Sequence, residues 1–346
     1  MEFSWVILMK AQLLERLGPV DEKPLKLREV AIPQPKAKEI LIKVSVCGIC
    51  HTELDEIEGR LPPPKLPIIL GHQVVGRVVG LGPEAHKYDI GDRVGVGWIY
   101  SACGECYHCK RGNENLCYRF QGTGYNVNGG YAEYMVVSED FAYLIPERFT
   151  DSQAAPLLCA GAIGYRALRL TGMQDGDIIG LYGYGASGHI VHQIVKYKFP
   201  HSKVYVFTKK KDDEPSRLAK KLGANWVGVS GETPPEKLNY AIDTTPVGFV
   251  IKEALRNLER GGRLVINAIR KETLVPEMDY SEYLWEEKEI KSVANVTRRD
   301  IQEFLNLAAE IPIIPEINEF RLEDANEALI SLKYGKYRGA GVLKIG

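Results

Sequence analysis

Residues 177–198 read DIIGLYGYGASGHIVHQIVKYK, and this stretch decides the fold of the second half of the chain. The apolar run Asp177–Tyr182 predicts a buried strand, and apolar residues recur at helical spacing over Ser187–Lys198. Between them stands the pattern G-x-G-x-x-G, at the junction of strand and helix where a dinucleotide-binding fold requires it. The stretch therefore predicts the first strand, turn and helix of a Rossmann domain.

Strand and helix signals continue to alternate after residue 198. This alternation predicts the fold class α/β, with a doubly wound parallel sheet. The further predicted strands are Lys203–Phe207, Trp226–Val229, Tyr240–Asp243 and Arg263–Asn267. The further predicted helices are Pro215–Leu222, ending at Gly223, and Val250–Leu258, stopped by Gly261-Gly262.

The parts of the chain before and after this alternating region have different sequence patterns. From Leu25 to Ala142, short β-branched runs and Gly-rich turns predict mostly β structure, with no long helical pattern. After residue 298 we predict helices over Asp300–Ala309 and Leu322–Tyr334. A last strand, Gly341–Ile345, has no following helix and could return to the first domain.

Length and charge narrow the function class. A chain of 346 residues exceeds one typical core and indicates two domains. A net charge of -1 offers no global field for nucleic acid or an anionic membrane, so we expect neither partner. The early apolar run Phe3–Met9 is short, lacks a basic flank and a cleavage site, and is interpreted as a strand rather than a signal peptide or anchor. A cytoplasmic protein is the resulting expectation.

Cysteine spacing provides the strongest chemical signal. An odd number of cysteines, without a signal peptide, argues against a disulfide framework and for metal binding. Four thiols at x2, x2 and x7 spacing can close a tetrahedral shell around zinc, which predicts a structural site. An iron–sulfur cluster is the alternative for the same four ligands. The ligands are Cys103, Cys106, Cys109 and Cys117.

The glycine-rich turn predicts a nicotinamide cofactor. Its backbone and the following helix N-terminus suit a pyrophosphate, which assigns Gly183, Gly185, Ala186, Ser187 and Gly188 to cofactor binding.

The tip of the next strand indicates which nicotinamide dinucleotide is bound. It carries Thr208, Lys209 and Lys210 where an NAD-binding chain has a carboxylate, so the sequence favours NADP(H) over NAD(H). In the alternative, Asp212 or Asp213 reaches back to the ribose of NAD(H).

Residues 47–51 read CGICH, the attachment pattern of c-type haem. A haem-bearing electron carrier needs export, and the missing export signal argues against it. Cys50, His72 and Cys159 could instead form an open Cys2His zinc site with a free fourth position.

Six segments together resemble the zinc-containing medium-chain alcohol dehydrogenases, along nearly the whole chain from Met9. They are CGICHTEL, GHQVVGRVVGLG, GDRVGVGW, CGECYHCKRGNENLC, CAGAIGYRAL and GYGASGH. The resemblance implies a GroES-like β-rich catalytic domain over 1–155 and 297–346 and a Rossmann domain over 156–296. Residues 1–8 precede the usual start and look like an extension.

The resemblance also implies roles for individual residues, and two zinc ions per chain. Cys50, His72 and Cys159 match the catalytic zinc ligands, and the four clustered cysteines match the structural ones. Glu53 matches a carboxylate that orients a zinc ligand. Thr52 and Asp55 match residues of the proton relay, in which Thr52 takes the substrate proton and Asp55 stands at the end. Thr52, Leu61 and Trp98 match positions of the substrate pocket. The positions that match cofactor-binding residues are His51, Ala268, Ile269 and Arg338.

Four positions depart from the family pattern. Gln73 replaces a Glu after the zinc-binding His, and Asp55 replaces the His that often ends the relay. Ile163 replaces a Thr, and Ala340 an Arg, with Arg338 two residues earlier.

The expected function is a zinc-dependent alcohol dehydrogenase or carbonyl reductase that prefers NADP(H) and acts on a small alcohol, ketone or aldehyde. The alternative is a family member that binds NADP(H) and zinc, turns over poorly and has a regulatory or binding role. By resemblance, the chain is expected to form a homo-oligomer, a dimer or a tetramer.

Overall fold

The computed structural model describes residues 7–346, which form two compact units. Of these described residues, unit 1 comprises 7–159, Thr297–Ala309 and Ile314–Gly346, and unit 2 comprises Ala160–Val296 and Glu310–Ile313. Most of the early apolar run lies outside the described residues, and the first strand begins at Leu8. The domain boundaries implied by the resemblance, 155/156 and 296/297, stay a proposal.

The first part of unit 1 is built from short strands, as its composition predicts. Its strands are β1 (Leu8–Leu14), β2 (Leu25–Ala31), β3 (Glu39–Ile49), β4 (Ile68–Ile69), β5 (Val74–Leu81), β6 (Arg93–Val96), β7 (Ile99–Ser101), β8 (Gln121–Gly122), β9 (Tyr134–Ser138) and β10 (Ala142–Leu144). Its helices are α1 (His51–Ile57) and α2 (Asp151–Ala154).

Unit 2 alternates strand and helix. It contains α3 (Ala160–Thr171), β11 (Ile178–Tyr182), α4 (Ala186–Lys198), β12 (Lys203–Thr208), α5 (Glu214–Lys221), β13 (Trp226–Val229), β14 (Leu238–Asp243), α6 (Phe249–Asn257), β15 (Leu258–Ile266), α7 (Tyr280–Tyr283) and β16 (Glu289–Ser292). The chain then completes unit 1 with α8 (Arg298–Glu310), β17 (Ile317–Arg321), α9 (Ala325–Lys333) and β18 (Ala340–Lys344).

The sheet of unit 2 has the topology of a Rossmann fold. Within residues 160–296 its six strands run in the order β13-β12-β11-β14-β15-β16, and every neighbouring pair is parallel. The order reverses between β11 and β14, which is the switch point where such sheets bind ligands at the carboxyl ends of their strands. The predicted α/β fold class is confirmed.

The central strand of unit 1 is β3, which leads directly to Cys50. It pairs antiparallel with β5, β9 and β18, so three other strands of the described chain fix its position. Side chains on its core-facing side, such as Ile40, Ile42 and Val44, are fully buried or nearly so. This burial specifies the register, because a slip of one residue would turn these side chains to the other face.

The mostly β character predicted before residue 150 is confirmed, although the segment after Cys50 forms the short helix α1. The start of α1 is stabilised by Glu53, whose carboxylate accepts the Cys50 N–H. One local prediction was wrong. Gly261-Gly262 do not stop a helix: α6 ends at Asn257, and both glycines lie inside β15 where its register with β14 shifts. Gly261 has φ +68°, which suits a β-bulge.

Among residues 7–346, every helix is too short or too polar to cross a membrane.

Gly76 is required by the close approach of β5 to β3. A Cβ at this position would lie 2.2 Å from the Lys43 carbonyl oxygen. We expect Gly76→Ala to lower the free energy of unfolding by about 3 kcal/mol, since a backbone atom has to move. Gly18→Ala is the matched control, because its Cβ would meet only the Glu22 carboxylate at 3.7 Å. Equal urea midpoints for the two variants would contradict this account of Gly76.

Candidate active site and metal centres

The four clustered thiols come together in one loop of unit 1. Their sulfur atoms all lie within 4.8 Å of one another, and every cysteine of the chain is a free thiol. The loop turns back on itself at Gly104 and Gly112, whose φ angles of +73° and +68° suit glycine. Four soft donors at this separation fit a tetrahedral metal such as zinc, and they also fit an iron–sulfur cluster.

Backbone amides point at this thiol cluster. The N–H groups of Cys106 and Cys103 donate to Sγ of Cys103 and Cys117 at 3.4 Å, and Arg119 N–H donates to Cys117 Sγ at 3.3 Å. The Cys106 and Glu105 amides lower the pKa of the Cys103 thiol to about 6. A metal site needs thiolates, and these amides favour them before a metal is bound.

Cys50, His72 and Cys159 form a second cluster within unit 1. Their donor atoms lie within 4.8 Å of one another, with His72 Nε2 at 3.4 Å from Cys159 Sγ. Cys50 follows β3, His72 precedes β5, and Cys159 follows a short 3-10 turn at residues 155–158. Three ligands of this type suit zinc and leave a fourth coordination position for water or a substrate.

Glu53 connects two members of this second cluster. One carboxylate oxygen accepts the Cys50 N–H at 2.8 Å, and the other lies 2.6 Å from His72 Nδ1. The second contact is a close one between two buried side chains. Burial opposes a charge on His72, but Glu53 and Cys50 together outweigh it and raise the pKa of His72. Glu53 therefore orients the ring so that Nε2 faces the sulfur atoms, as expected for a residue that supports a metal ligand.

The two thiols of this cluster shift each other's pKa in opposite directions. Their mutual contact lowers the pKa of Cys50, and the same contact, reinforced by burial, raises the pKa of Cys159. Two buried thiolates side by side are costly, and a dication between them would relieve that cost, so the donor set fits a bound metal.

Two further predicted residues, Thr52 and Trp98, lie close to this cluster. The Thr52 hydroxyl is 3.6 Å from Cys50 Sγ, and the Trp98 ring meets the His72 ring edge-on at 5.2 Å between centroids. Leu61 is half-buried and packs against the core of unit 1. His51, the first residue of α1, is exposed.

Asp55 does not stand free as the end of a proton relay. Its carboxylate accepts a hydrogen bond from Arg60 Nε at 2.5 Å, and the side chain is nearly buried. A proton arriving at Asp55 would have to break this ion pair. The sequence did not predict that Arg60 pairs with Asp55. The two residues are five positions apart and Arg60 lies beyond the end of α1, so no helical spacing relates them.

The other departures from the family pattern are placed as follows. Gln73 is buried, and its side chain packs against Gly48, where an added Cβ would lie 2.9 Å from the Gln73 Cβ. Ile163 lies half-buried on α3, and Ala340 begins β18. Arg338 precedes β18, and its carbonyl accepts a hydrogen bond from the Asn318 amide.

The glycine loop of unit 2 has the geometry that its sequence predicts. Gly183 has φ +85°, and a Cβ there would lie 2.5 Å from Thr244 Oγ1. A Cβ at Gly188 would meet the Gly183 carbonyl at 2.7 Å, whereas one at Gly185 would meet nothing within 4 Å. The first and third glycines are thus needed for the turn and for packing, and the second faces open space at the start of α4, where a phosphate could approach.

A tyrosine–histidine pair anchors this loop and was missed by sequence reasoning. The Tyr184 hydroxyl lies 2.5 Å from His192 Nδ1, and both side chains are buried. Burial, together with Lys196 and His189, lowers the pKa of His192 to about 4. The neutral imidazole can therefore accept the phenol hydrogen and connect the loop to α4.

Some of the charged side chains that follow β12 form ion pairs or cap a helix, and others do not. Lys211 pairs with Glu232 at 2.6 Å, and Lys220 pairs with Asp212 at 3.1 Å. The carboxylate of Asp213 caps α5 through the Ser216 N–H. Both acids are thus engaged in this structure, Asp212 through an exposed ion pair and Asp213 at the start of α5.

Two lysines at this strand end stay uncompensated. Lys209 and Lys210 are exposed, and their ammonium groups have no carboxylate within 4 Å among residues 7–346. The Thr208 hydroxyl is buried and contacts the carbonyls of Lys210 and Gly228, at 3.0 and 3.3 Å. Thr208 thus shapes the turn, and the two lysines are the groups able to meet an anion.

Metal content should separate the two clusters. We expect the unmodified protein to hold about two zinc ions per chain, and Cys109→Ser and Cys50→Ser to lose one each, because each variant removes one ligand of a different site. Cys109→Ser should also lower Tm. Cys47→Ala is the control, since Cys47 is buried outside both clusters. Elemental analysis with a zinc and iron readout checks this, and iron in place of zinc in the four-thiol site would favour the cluster alternative.

Comparison with known proteins agrees with both units. Residues 36–147 match the family described as "Alcohol dehydrogenase GroES-like domain". The "Probable alcohol dehydrogenase AdhA" of Mycobacterium tuberculosis is 39% identical over 342 residues, which cover 97% of each chain. An alcohol dehydrogenase of Geobacillus stearothermophilus is 36% identical over 347 residues, covering 97% of this chain and 100% of that protein.

Solved structures resemble the whole chain. A cinnamyl alcohol dehydrogenase of Sorghum bicolor superposes with a TM-score of 0.86 at 26% identity, covering 98% of both chains. The CAD of Helicobacter pylori, solved with NADP(H), gives 0.87 at 22% identity over 98% and 99% of the chains, which supports the fold alone. The predicted GroES-like and Rossmann fold and the predicted family are confirmed: the chain belongs to the zinc-containing medium-chain alcohol dehydrogenase family.

Proposed function

We propose that this protein is an oxidoreductase acting on alcohols, a zinc-dependent alcohol dehydrogenase or carbonyl reductase that prefers NADP(H). The observation that carries the proposal is the cluster of Cys50, His72 and Cys159, whose three donors leave a coordination position open. The alcohol dehydrogenases that share 36–39% identity with this chain over almost its full length support the substrate class.

Zinc and the nicotinamide cofactor would each supply one part of the reaction. Zinc, held by Cys50, His72 and Cys159, would supply a Lewis acid that polarises the substrate oxygen, and the nicotinamide would exchange hydride with the carbon. The four-thiol loop would hold a structural zinc.

The protein residues would orient the ligands and move a proton. Glu53 fixes the Cys50 backbone and the His72 ring, and Trp98 borders that ring with an apolar surface. Thr52 places a hydroxyl beside Cys50, where it would accept the proton that leaves an alcohol. For the next step we favour His51 over Asp55, because His51 reaches solvent whereas Asp55 is paired with Arg60.

A second candidate function rests on that ion pair. The engagement of Asp55 by Arg60 favours, as this second candidate, a family member with slow turnover that serves a binding or regulatory role. Rapid NADPH oxidation with any ketone or aldehyde of a broad panel would exclude it. The homo-oligomer implied by the resemblance stays a prediction, for which light scattering during size-exclusion chromatography is the test.

The catalytic metal is tested by removing one ligand. We expect Cys50→Ser to lower kcat by about 10³-fold or more with the best carbonyl of the panel, since the Lewis acid supplies several kcal/mol. Cys47→Ala should stay within about threefold of the unmodified protein, because Cys47 lies outside the cluster. Full activity in Cys50→Ser would exclude catalysis by a metal at this site.

The nucleotide preference is tested at Lys209 and Lys210. We expect the double variant Lys209→Ala/Lys210→Ala to raise the Kd of NADPH by roughly 10–100-fold, because each ammonium would lose a charge-assisted contact with the 2′-phosphate, and to leave the Kd of NADH nearly unchanged. Lys211→Ala is the matched control, since its charge is already paired with Glu232. A parallel loss of NADH affinity would contradict the assignment.

A further inference from the structure

A buried ion pair at the end of β14 belongs to neither metal site nor to the glycine loop. Lys271 Nζ lies 2.5 Å from Asp243 Oδ2 and donates to the Thr245 carbonyl at 2.6 Å. Asp243 is fully buried and the Lys271 side chain is 14% exposed. Burying two charges costs several kcal/mol per ion, and an apolar pair often serves stability equally well. Stability alone therefore gives no reason for this pair.

The position of Asp243 indicates a function. Asp243 is the last residue of β14 and pairs with Tyr182, the last residue of β11, so it lies at the switch point of the sheet. The glycine loop begins at Gly183, the residue after Tyr182, where an added Cβ would lie 2.5 Å from Thr244 Oγ1. In open α/β sheets the ligand binds outside this edge, between the two strands. The ion pair thus lies at the edge where the dinucleotide would bind.

Asp243 holds two loops at this edge, which we define as loop A, residues 244–248, and loop B, residues 267–273. In loop A, Thr245 donates both its N–H and its hydroxyl to Asp243 Oδ1, at 2.8 and 2.7 Å. In loop B, Lys271 binds Oδ2, and the Asn267 N–H donates to the Asp243 carbonyl at 2.8 Å. One buried carboxylate therefore fixes both segments.

Further contacts connect loops A and B directly. The Glu272 N–H donates to the Pro246 carbonyl at 2.6 Å, and the Gly248 N–H donates to Thr273 Oγ1 at 2.8 Å. Ile269, in the middle of loop B, is 55% exposed although it is apolar.

We propose that Lys271 and Asp243 are positioning residues that hold loops A and B in the conformation that binds the nicotinamide dinucleotide. The inference rests on the proposed function, since it assumes that this edge takes such a cofactor. Neither residue has to touch the ligand. The two residues set the fraction of molecules in which loops A and B have the binding conformation. The apparent Kd is the intrinsic Kd divided by this fraction, so it rises when the fraction falls.

The test compares Lys271→Met with Lys271→Arg, which keeps the charge. We expect Lys271→Met to raise the Kd of NADPH and of NADH equally, by about tenfold, and Lys271→Arg to restore most of the affinity. Hydrogen exchange in loop B of the nucleotide-free protein should become faster in Lys271→Met only. Lys203→Met is the control, because its ion pair with Glu236 lies at the opposite edge of the sheet, at the start of β12.

A second variant is needed in case Lys271→Met does not fold. If the unpaired Asp243 unfolds Lys271→Met, the uncharged pair Asp243→Asn/Lys271→Gln replaces it, with the same expected changes in Kd and exchange. Unchanged Kd values in the variant that folds would overturn the inference, and so would a lower Tm without a change in Kd, since a purely structural pair behaves in that way. The assumption taken from the proposed function, that this edge binds a nicotinamide dinucleotide, fails distinguishably, because the unmodified protein would then bind neither nucleotide.

Discussion

The carboxylate of Glu53 is the contact on which the organisation of unit 1 depends. It stabilises the start of α1 through the Cys50 N–H and holds the His72 ring from behind, so it ties together the end of β3, the first turn of a helix and the segment before β5. Because Glu53 is fully buried, water cannot replace either contact. Two metal-ligand candidates separated by 22 positions in the sequence are thereby set in place before any metal arrives.

Much of this arrangement can be predicted from residues alone, for identifiable reasons. The four thiols of the metal loop lie in one short segment, so the spacing of the cysteines in the sequence is enough to predict that their sulfur atoms meet. The Rossmann unit repeats one strand–helix pattern, and the roles of Gly183 and Gly188 follow from steric limits that any chain obeys. Glu53 and His72 were matched only through the resemblance to a family, since no local pattern brings residues on different elements together.

The contacts that escaped prediction share a physical cause. Arg60 with Asp55, Tyr184 with His192, and Lys271 with Asp243 are polar pairs whose members lie on different turns, loops or elements. Hydrophobic periodicity reports which face of an element is buried and says nothing about which buried polar groups meet. The same limit hid α1, which is too short for a periodic signal and begins with a side-chain cap rather than an apolar stripe.

The place of β18 in the sheet has a consequence for how the protein is made. This strand pairs with β3 from Gly341 opposite Ile49 to Lys344 opposite Val46, immediately before Cys50. During synthesis, the edge of β3 that β18 covers has no partner until nearly 300 further residues have left the ribosome. The Rossmann unit, whose strands lie close together in the sequence, can fold during that interval. Completion of the sheet beside Cys50 is therefore a late event in the folding of unit 1.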